Sequence, residues 1–186
     1  MEEKINKIKE ALQEKQIVII MDSVDMCGKT EVAKELSDLL NIPTYKNTNE
    51  HSRWKDHMIS LVYGMDELVQ FLEQTNYSII FDRFHPSEWV YSKEFNRISN
   101  DNVTLNYDCR IANMNGLIIY PYKTKEYFKK DDQNIVDIKQ YESLQRKYDD
   151  FFNITKCNVL KYNANDENLN KQIDLCVNKI YEVLYK

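Results

Sequence analysis

The residues best suited to chemistry in this chain are Gly28-Lys29-Thr30, preceded by the acidic loop Asp22-Ser23-Val24-Asp25-Met26-Cys27. A phosphate chain needs several donors converging on it. Lys29 can place an ammonium on the β- and γ-phosphates, and the Thr30 hydroxyl can bind Mg²⁺. Free backbone N–H groups at a helix start supply the rest, aided by the helix dipole. Asp25, Met26, Cys27, Gly28, Lys29 and Thr30 are therefore the expected phosphate-binding residues. The P-loop pattern asks for Gly, four residues, then Gly-Lys-Ser/Thr. Ser23 stands where the first glycine belongs, in a chain with only three glycines. Asp82-Arg83 is the second candidate group. An aspartate at a strand tip can complete a magnesium site with Thr30, and an arginine can clamp phosphoryl oxygens with two N–H groups in one plane.

These residues work only if the backbone presents them together. Ile17–Met21 is a continuous apolar run of the kind parallel sheets bury on both faces, and EVAKELSDLL after the loop has helical spacing. Further strands are expected at 43–45, 77–81, 117–120 and 158–162. Helices are expected at 3–14, about 56–73, from Pro86, at 104–113, about 136–152 and 167–185, with Gly116 ending the one before LIIY. Strands alternating with helices five times predict an α/β three-layer fold, a five-stranded parallel sheet flanked by helices. Ligands in such sheets bind at the carboxyl ends of the strands, where Lys29, Lys46 and Asp82 fall.

At 186 residues one domain, 1–186, is expected. No apolar run approaches the ~18–20 residues of a membrane span. The charged opening MEEKINKIKEALQEKQ lacks the apolar core of a signal sequence, so a cytoplasmic location is expected. The four cysteines show no metal-binding spacing and fit reduced thiols. A net charge of −5 argues against an extended duplex-DNA footprint, which needs clustered Lys and Arg, but allows a small basic pocket for a nucleotide.

Asp22-Ser23-Val24-Asp25 with Cys27-Gly28-Lys29-Thr30, and Asp82-Arg83-Phe84 with Ser87 and Tyr91, resemble the two motifs of the thymidylate kinase family, within the P-loop nucleoside and nucleoside-monophosphate kinases. The resemblance implies the P-loop kinase fold and Mg²⁺-dependent phosphoryl transfer from ATP to a deoxynucleoside monophosphate. It also implies that Asp25 faces the acceptor sugar, Arg83 holds the acceptor phosphate and Asp82 supports the metal. A homodimer is implied as well. The chain departs from the family in three places. Ser23 and Met26 replace glycines. Lys46 follows the second strand where the family has an Arg-Glu-Pro run. Asp66-Glu67 lacks the arginine of the base-reading Asp-Arg pair.

Lys29, Asp82 and Arg83 are thus the expected catalytic residues, and Asp25, Lys46, Tyr63 and Arg83 the expected acceptor contacts, with Tyr63 stacking on a base. A lid is expected at about 123–136, with Lys129 and Lys130 the main candidates and Lys123, Lys125 and Arg146 beside them. Two alternatives stand. One is a kinase of this fold acting on a nucleoside or on a modified nucleotide within DNA. The other is a nucleotide-binding module without catalysis. A GTPase is disfavoured, because Asn178-Lys179 lacks the aspartate of a guanine reader.

Overall fold

The computed structural model describes residues 1–46, 57–97, 100–127, 136–166 and 168–186, with backbone alone for 57–64. Its elements are α1 (Glu2–Ala11), β1 (Val18–Met21), α2 (Lys29–Leu40), β2 (Thr44–Lys46), α3 (His57–Thr75), β3 (Ile79–Asp82) and α4 (His85–Glu94). There follow α5 (Asp101–Ala112), β4 (Leu117–Tyr122), a 3-10 turn at Lys125–Tyr127, α6 (Ile138–Phe152), β5 (Asn158–Asn163) and α7 (Leu169–Leu184). The five strands form one sheet in the order β2-β3-β1-β4-β5, every pair parallel.

Side chains on a strand alternate between faces, and β1 shows why its whole run is apolar. Ile19 and Met21 join Ile17 in a core with Ile5 and Ile8 of α1, Val32 and Leu36 of α2, and Ile173 and Ile180 of α7. Val18 and Ile20 enter the opposite core with Val69 of α3, Val90 of α4, Ile111 of α5 and Leu144 and Phe151 of α6. The expected three layers are present. Both cores end at the same sheet edge, where β1 and β3 release Asp22 and Asp82 side by side (Met21 is in register with Asp82).

Turns in so glycine-poor a chain use asparagine. Asn41, Asn76, Asn96 and Asn115 all have positive φ, the left-handed conformation that Asn tolerates best after Gly. This refines the expectation at α5. Asn115 makes the left-handed turn (φ 54°). Gly116 is required for closeness: a Cβ there would lie 2.7 Å from the Ile111 carbonyl oxygen and 2.8 Å from Cys157 Sγ. Helix ends are capped as well. Asn100 accepts from the N–H groups of Asn102 and Val103, and Asp137 with Gln140 forms a reciprocal capping box. Among the described residues no helix is long and apolar enough to cross a membrane.

Candidate functional site

The loop between β1 and α2 turns by placing two residues in the left-handed region, Met26 (φ 65°) and Gly28 (φ 79°). Ser23 has no positive φ among the described residues, so the first missing glycine costs the loop nothing in backbone strain. The strained position is Met26. None of the backbone N–H groups from Asp25 to Glu31 donates to another group among the described residues. That leaves an unspent set of donors at the start of a twelve-residue helix.

Lys29 is only 7% exposed. Its Nζ donates to the Val24 carbonyl at 3.1 Å, across its own loop, and lies 4.0 Å from Asp25 Oδ1. Burial, and then the neighbouring Arg83 charge, lower its pKa to about 8. Thr30 Oγ1 donates to Asp82 Oδ2 at 2.8 Å, and Lys46 Nζ is 3.6 Å from that same oxygen. The hydroxyl and carboxylate form a pair of hard oxygen ligands of the kind magnesium accepts.

Arg83 adopts φ 70° directly after β3, and its N–H bonds to the Met21 carbonyl. The guanidinium pairs with Asp25, donates to Ser87 Oγ at 3.1 Å and lies 5.1 Å from the centre of the Tyr91 ring. Burial opposes its charge, but Tyr91, Tyr148, Asp25 and Asp22 outweigh that and hold its pKa well above the ordinary range. Asp22 is fully buried beneath this clamp. It accepts from Ser87 N at 2.9 Å, Ser87 Oγ at 2.5 Å and Tyr148 OH at 2.7 Å. Three elements, β1, α4 and α6, are thereby tied at one carboxylate, and Arg83 is aimed from that knot.

The loop, Lys29, the Thr30–Asp82 pair, Lys46 and Arg83 open on one cleft of about 630 Å³, while Asp22, Ser87 and Tyr148 lie behind its wall. Asp25, Met26, Cys27, Gly28, Lys29, Thr30, Lys46, Asp82 and Arg83 line it, so the structure brings together the expected phosphate, metal and acceptor residues that it describes. Tyr63 lies within α3, but its side chain falls outside the described residues, as do Lys129 and Lys130. Of the other lid candidates, Lys123 is buried and lines the cleft, whereas Lys125 pairs with Glu142 on the surface and Arg146 is exposed. The sequence reading has Asp22 and Ser87 only as motif residues, without their role in the knot, and misses Tyr148 and Gln172. Gln172 carried a signal: it is a carboxamide on the α7 face otherwise formed by Ile173, Cys176 and Ile180.

No protein-family model matches the chain, and no curated protein matches it. Solved structures do. The YorR protein from Bacillus subtilis, in complex with phosphorylated GDP, superposes with a TM-score of 0.65 at 22% identity over 86% of this chain and 95% of that one. Deoxyadenosine kinase from M. mycoides, with the products dCMP and dCDP bound, gives 0.55 at 17% over 89% and 100%. Thymidylate kinase from Candida albicans gives 0.59 at 14% over 90% and 94%. The fold is that of the P-loop kinases. The likeness spreads over kinases named for different substrates and singles out no one family among them.

Proposed function

We propose that this chain is a nucleotide kinase that transfers the γ-phosphoryl group of ATP to a deoxynucleoside monophosphate. One observation carries the reading: Lys29, the Thr30–Asp82 pair and the Asp25–Arg83 clamp face a single cleft at the carboxyl ends of β1 and β3. Phosphoryl transfer asks the protein mainly to align two substrates and neutralise charge. The free N–H groups of 25–31 and the Lys29 ammonium hold the donor phosphates, the ammonium exchanging the Val24 carbonyl for phosphate oxygens. Arg83 and Lys46 hold the acceptor phosphate in line. Thr30 and Asp82 would hold Mg²⁺, which when bound draws charge from the phosphoryl oxygens.

The charge pattern favours an acceptor that is itself a phosphate. A sugar hydroxyl needs a base to take its proton. Asp22, buried behind the cleft, is occupied by Ser87 and Tyr148; in the cleft Asp25 is occupied by Arg83, and Asp82 by Thr30 and Lys46. A phosphate monoester, with a second pKa of about 6, brings its own nucleophilic oxygen at neutral pH. The deoxyadenosine kinase and thymidylate kinase likenesses agree with a deoxynucleotide or deoxynucleoside acceptor. A nucleoside acceptor is the second reading. It is favoured by the 36% exposure of the Asp25 side chain, which leaves that carboxylate within reach of a hydroxyl.

Transfer of radiolabel from ATP to a panel of nucleosides, deoxynucleoside monophosphates and single-stranded DNA tests the assignment. Label on a monophosphate is expected, and Asp82→Ala should cut it by at least ~10²-fold with the melting temperature preserved. Label on nucleosides, abolished by Asp25→Asn, would establish the second reading. Tight ATP binding with no transfer to any acceptor would leave only a binding module.

A further inference from the structure

The cleft crosses the sheet edge, and the strand order says what belongs at each end. β2 and β3 carry Lys46, Asp82 and Arg83 on one side of β1, and the P-loop sits over β1 itself. On the other side, β4 and β5 bring Lys123 and Ala164 to the same cleft, and α7 adds Leu169 and Gln172. A triphosphate gripped by the P-loop, with its transferable end toward Arg83, has its other end directed here. The walls change character accordingly, from charged groups to Ala164, Leu169 and one carboxamide.

Gln172 is the informative group. It is 6% exposed and belongs to the inward face of α7 with Ile173, Cys176 and Val177. Tyr162 OH donates to its Oε1 at 3.2 Å, which fixes the amide with its nitrogen outward from that bond. Nε2 donates to nothing among the described residues. It is not sealed in the core either, since Gln172 lines the cleft. Facing the cleft, this N–H is left to solvent in the ligand-free protein, and a ligand acceptor at that point would take the place of water.

We infer that Gln172 is a specificity-determining residue for the phosphoryl donor: its carboxamide N–H reads a hydrogen-bond acceptor on a nucleobase seated between Ala164 and Leu169. The donor is then a nucleoside triphosphate rather than an inorganic triphosphate or polyphosphate. The P-loop grips these by their phosphates alone and does not distinguish them. This inference rests on the P-loop kinase reading above. It adds the base-dependent half of donor recognition, which no phosphate contact supplies.

The test compares ATP, GTP and tripolyphosphate binding, by calorimetry, to the full chain and to Gln172→Met, Gln172→Glu and Lys29→Ala. Gln172→Met nearly preserves side-chain volume but also removes the acceptor of the Tyr162 hydroxyl, so its ligand-free melting temperature should fall by a few degrees, the worth of one neutral hydrogen bond. It should weaken binding of at least one nucleoside triphosphate roughly three- to tenfold, the worth of one hydrogen bond, and leave tripolyphosphate unchanged. Gln172→Glu keeps the acceptor for Tyr162 but opposes the base with a carboxylate, so its loss should be larger. Lys29→Ala should weaken all three ligands. Nucleoside triphosphate binding unaltered in Gln172→Met, or tripolyphosphate weakened in the same ratio, overturns the inference while the P-loop reading stands. Failure of the unmodified chain to bind any of the three overturns both.

Discussion

Arg83, His85 and Ser87 stand two residues apart at the start of α4, yet they serve two different polar clusters. Arg83 and Ser87 join Asp22 and Asp25 at the cleft, whereas His85 joins Asp108 of α5 in the interior. The interior cluster is nearly closed, with only His85 Nδ1 lacking a partner among the described residues. His85 Nε2 donates to Asp108 Oδ1 at 3.0 Å, the Thr155 hydroxyl donates to the same oxygen, and Lys156 N donates to Oδ2 at 2.6 Å. Cys157 Sγ donates to the Asp108 carbonyl at 3.6 Å, and burial, then Asp108, push its thiol well above the ordinary range. Histidine, carboxylate and thiol lie within 4.8 Å of one another, a spacing a metal could use. But the carboxylate already accepts three bonds and the sulfur stays protonated, so the group acts as a strut joining α4, α5 and the approach to β5. The cleft cluster differs in what it leaves unspent: free N–H groups, a lysine held by a loop carbonyl with Asp25 at 4.0 Å, and an amide open to solvent. Polarity spent mostly on itself in the interior stabilises, and polarity left unspent where it faces the cleft binds.

The sharpest way to break that contrast is at the carboxylates. Asp108→Ala should cost about 3–5 kcal/mol in denaturant unfolding, because it strands His85, the Thr155 hydroxyl and the Lys156 N–H in the interior. Where the variant still folds, transfer per folded molecule should stay near that of the unmodified chain. Burial raises the Asp108 pKa, but the bonds from His85, Lys156 and Thr155 outweigh it, so the folded value lies below the ordinary 3.8. A depressed carboxyl pKa gives stability that is whole above the unfolded value and is lost as pH falls through the folded one. The stability gap between Asp108→Asn and the unmodified chain should therefore narrow only below about pH 4.

Lys29 is expected to behave in the opposite way. Lys29→Met should cut transfer by at least ~10²-fold, since it removes a charge aimed at the moving group. Yet at pH 7 the ligand-free variant should be the more stable protein. The folded Lys29 pKa of about 8 lies below the ordinary 10.5, so the unfolded chain holds this proton more tightly throughout that window. Stability of the unmodified chain thus rises with pH between those values, and below about pH 8 the full cost of the buried ammonium is present, about 3 kcal/mol. Thermal melts of the pair should show the variant's advantage at pH 7 shrinking toward pH 10. Binding of a triphosphate re-pairs the ammonium and raises its pKa. Calorimetry in buffers of different ionisation enthalpy should accordingly find proton uptake at pH 8.5 and little at pH 6.5.

The two clusters were not equally legible in the sequence. The fold, the P-loop and the Asp82-Arg83 pair could be read because local signals carry them: a continuous apolar strand, a polar turn and a helix with regular apolar spacing. The acidic residue before the loop was read only as part of a motif. That Asp22 binds Tyr148 depends on α6 crossing back over β1, a contact 126 positions away in the chain. The His85–Asp108 strut left no trace, because its partners are 23 positions apart on different helices. Gly116 was read as a helix stop, whereas its role is steric and tied to Cys157. Gly116→Ala should cost about 1–3 kcal/mol through displacement of the Ile111 carbonyl and Cys157, with ligand affinity at the cleft unaltered.

The smallest effects test which glycine the P-loop lacks. The motif draws attention to Ser23, but the backbone makes Met26 the residue that turns left-handed, at φ 65°. Outside glycine that conformation costs roughly 1–2 kcal/mol per residue, although glycine gives back part of the gain through a more flexible unfolded chain. Met26→Gly should therefore raise stability by about 0.5–1 kcal/mol, and it removes a side chain that is 46% exposed and packs little. Ser23→Gly relieves no strain and loses the Ser23 hydroxyl bond to the Val24 carbonyl at 2.9 Å, so it should lower stability by about 1 kcal/mol. Opposite signs in the two melts would mean that the loop departs from the motif at a position the motif tolerates and keeps its real irregularity one turn later. Equal signs would return the strain to Ser23 and with it a loop of different shape, in which the free N–H groups of 25–31 no longer belong to one cradle.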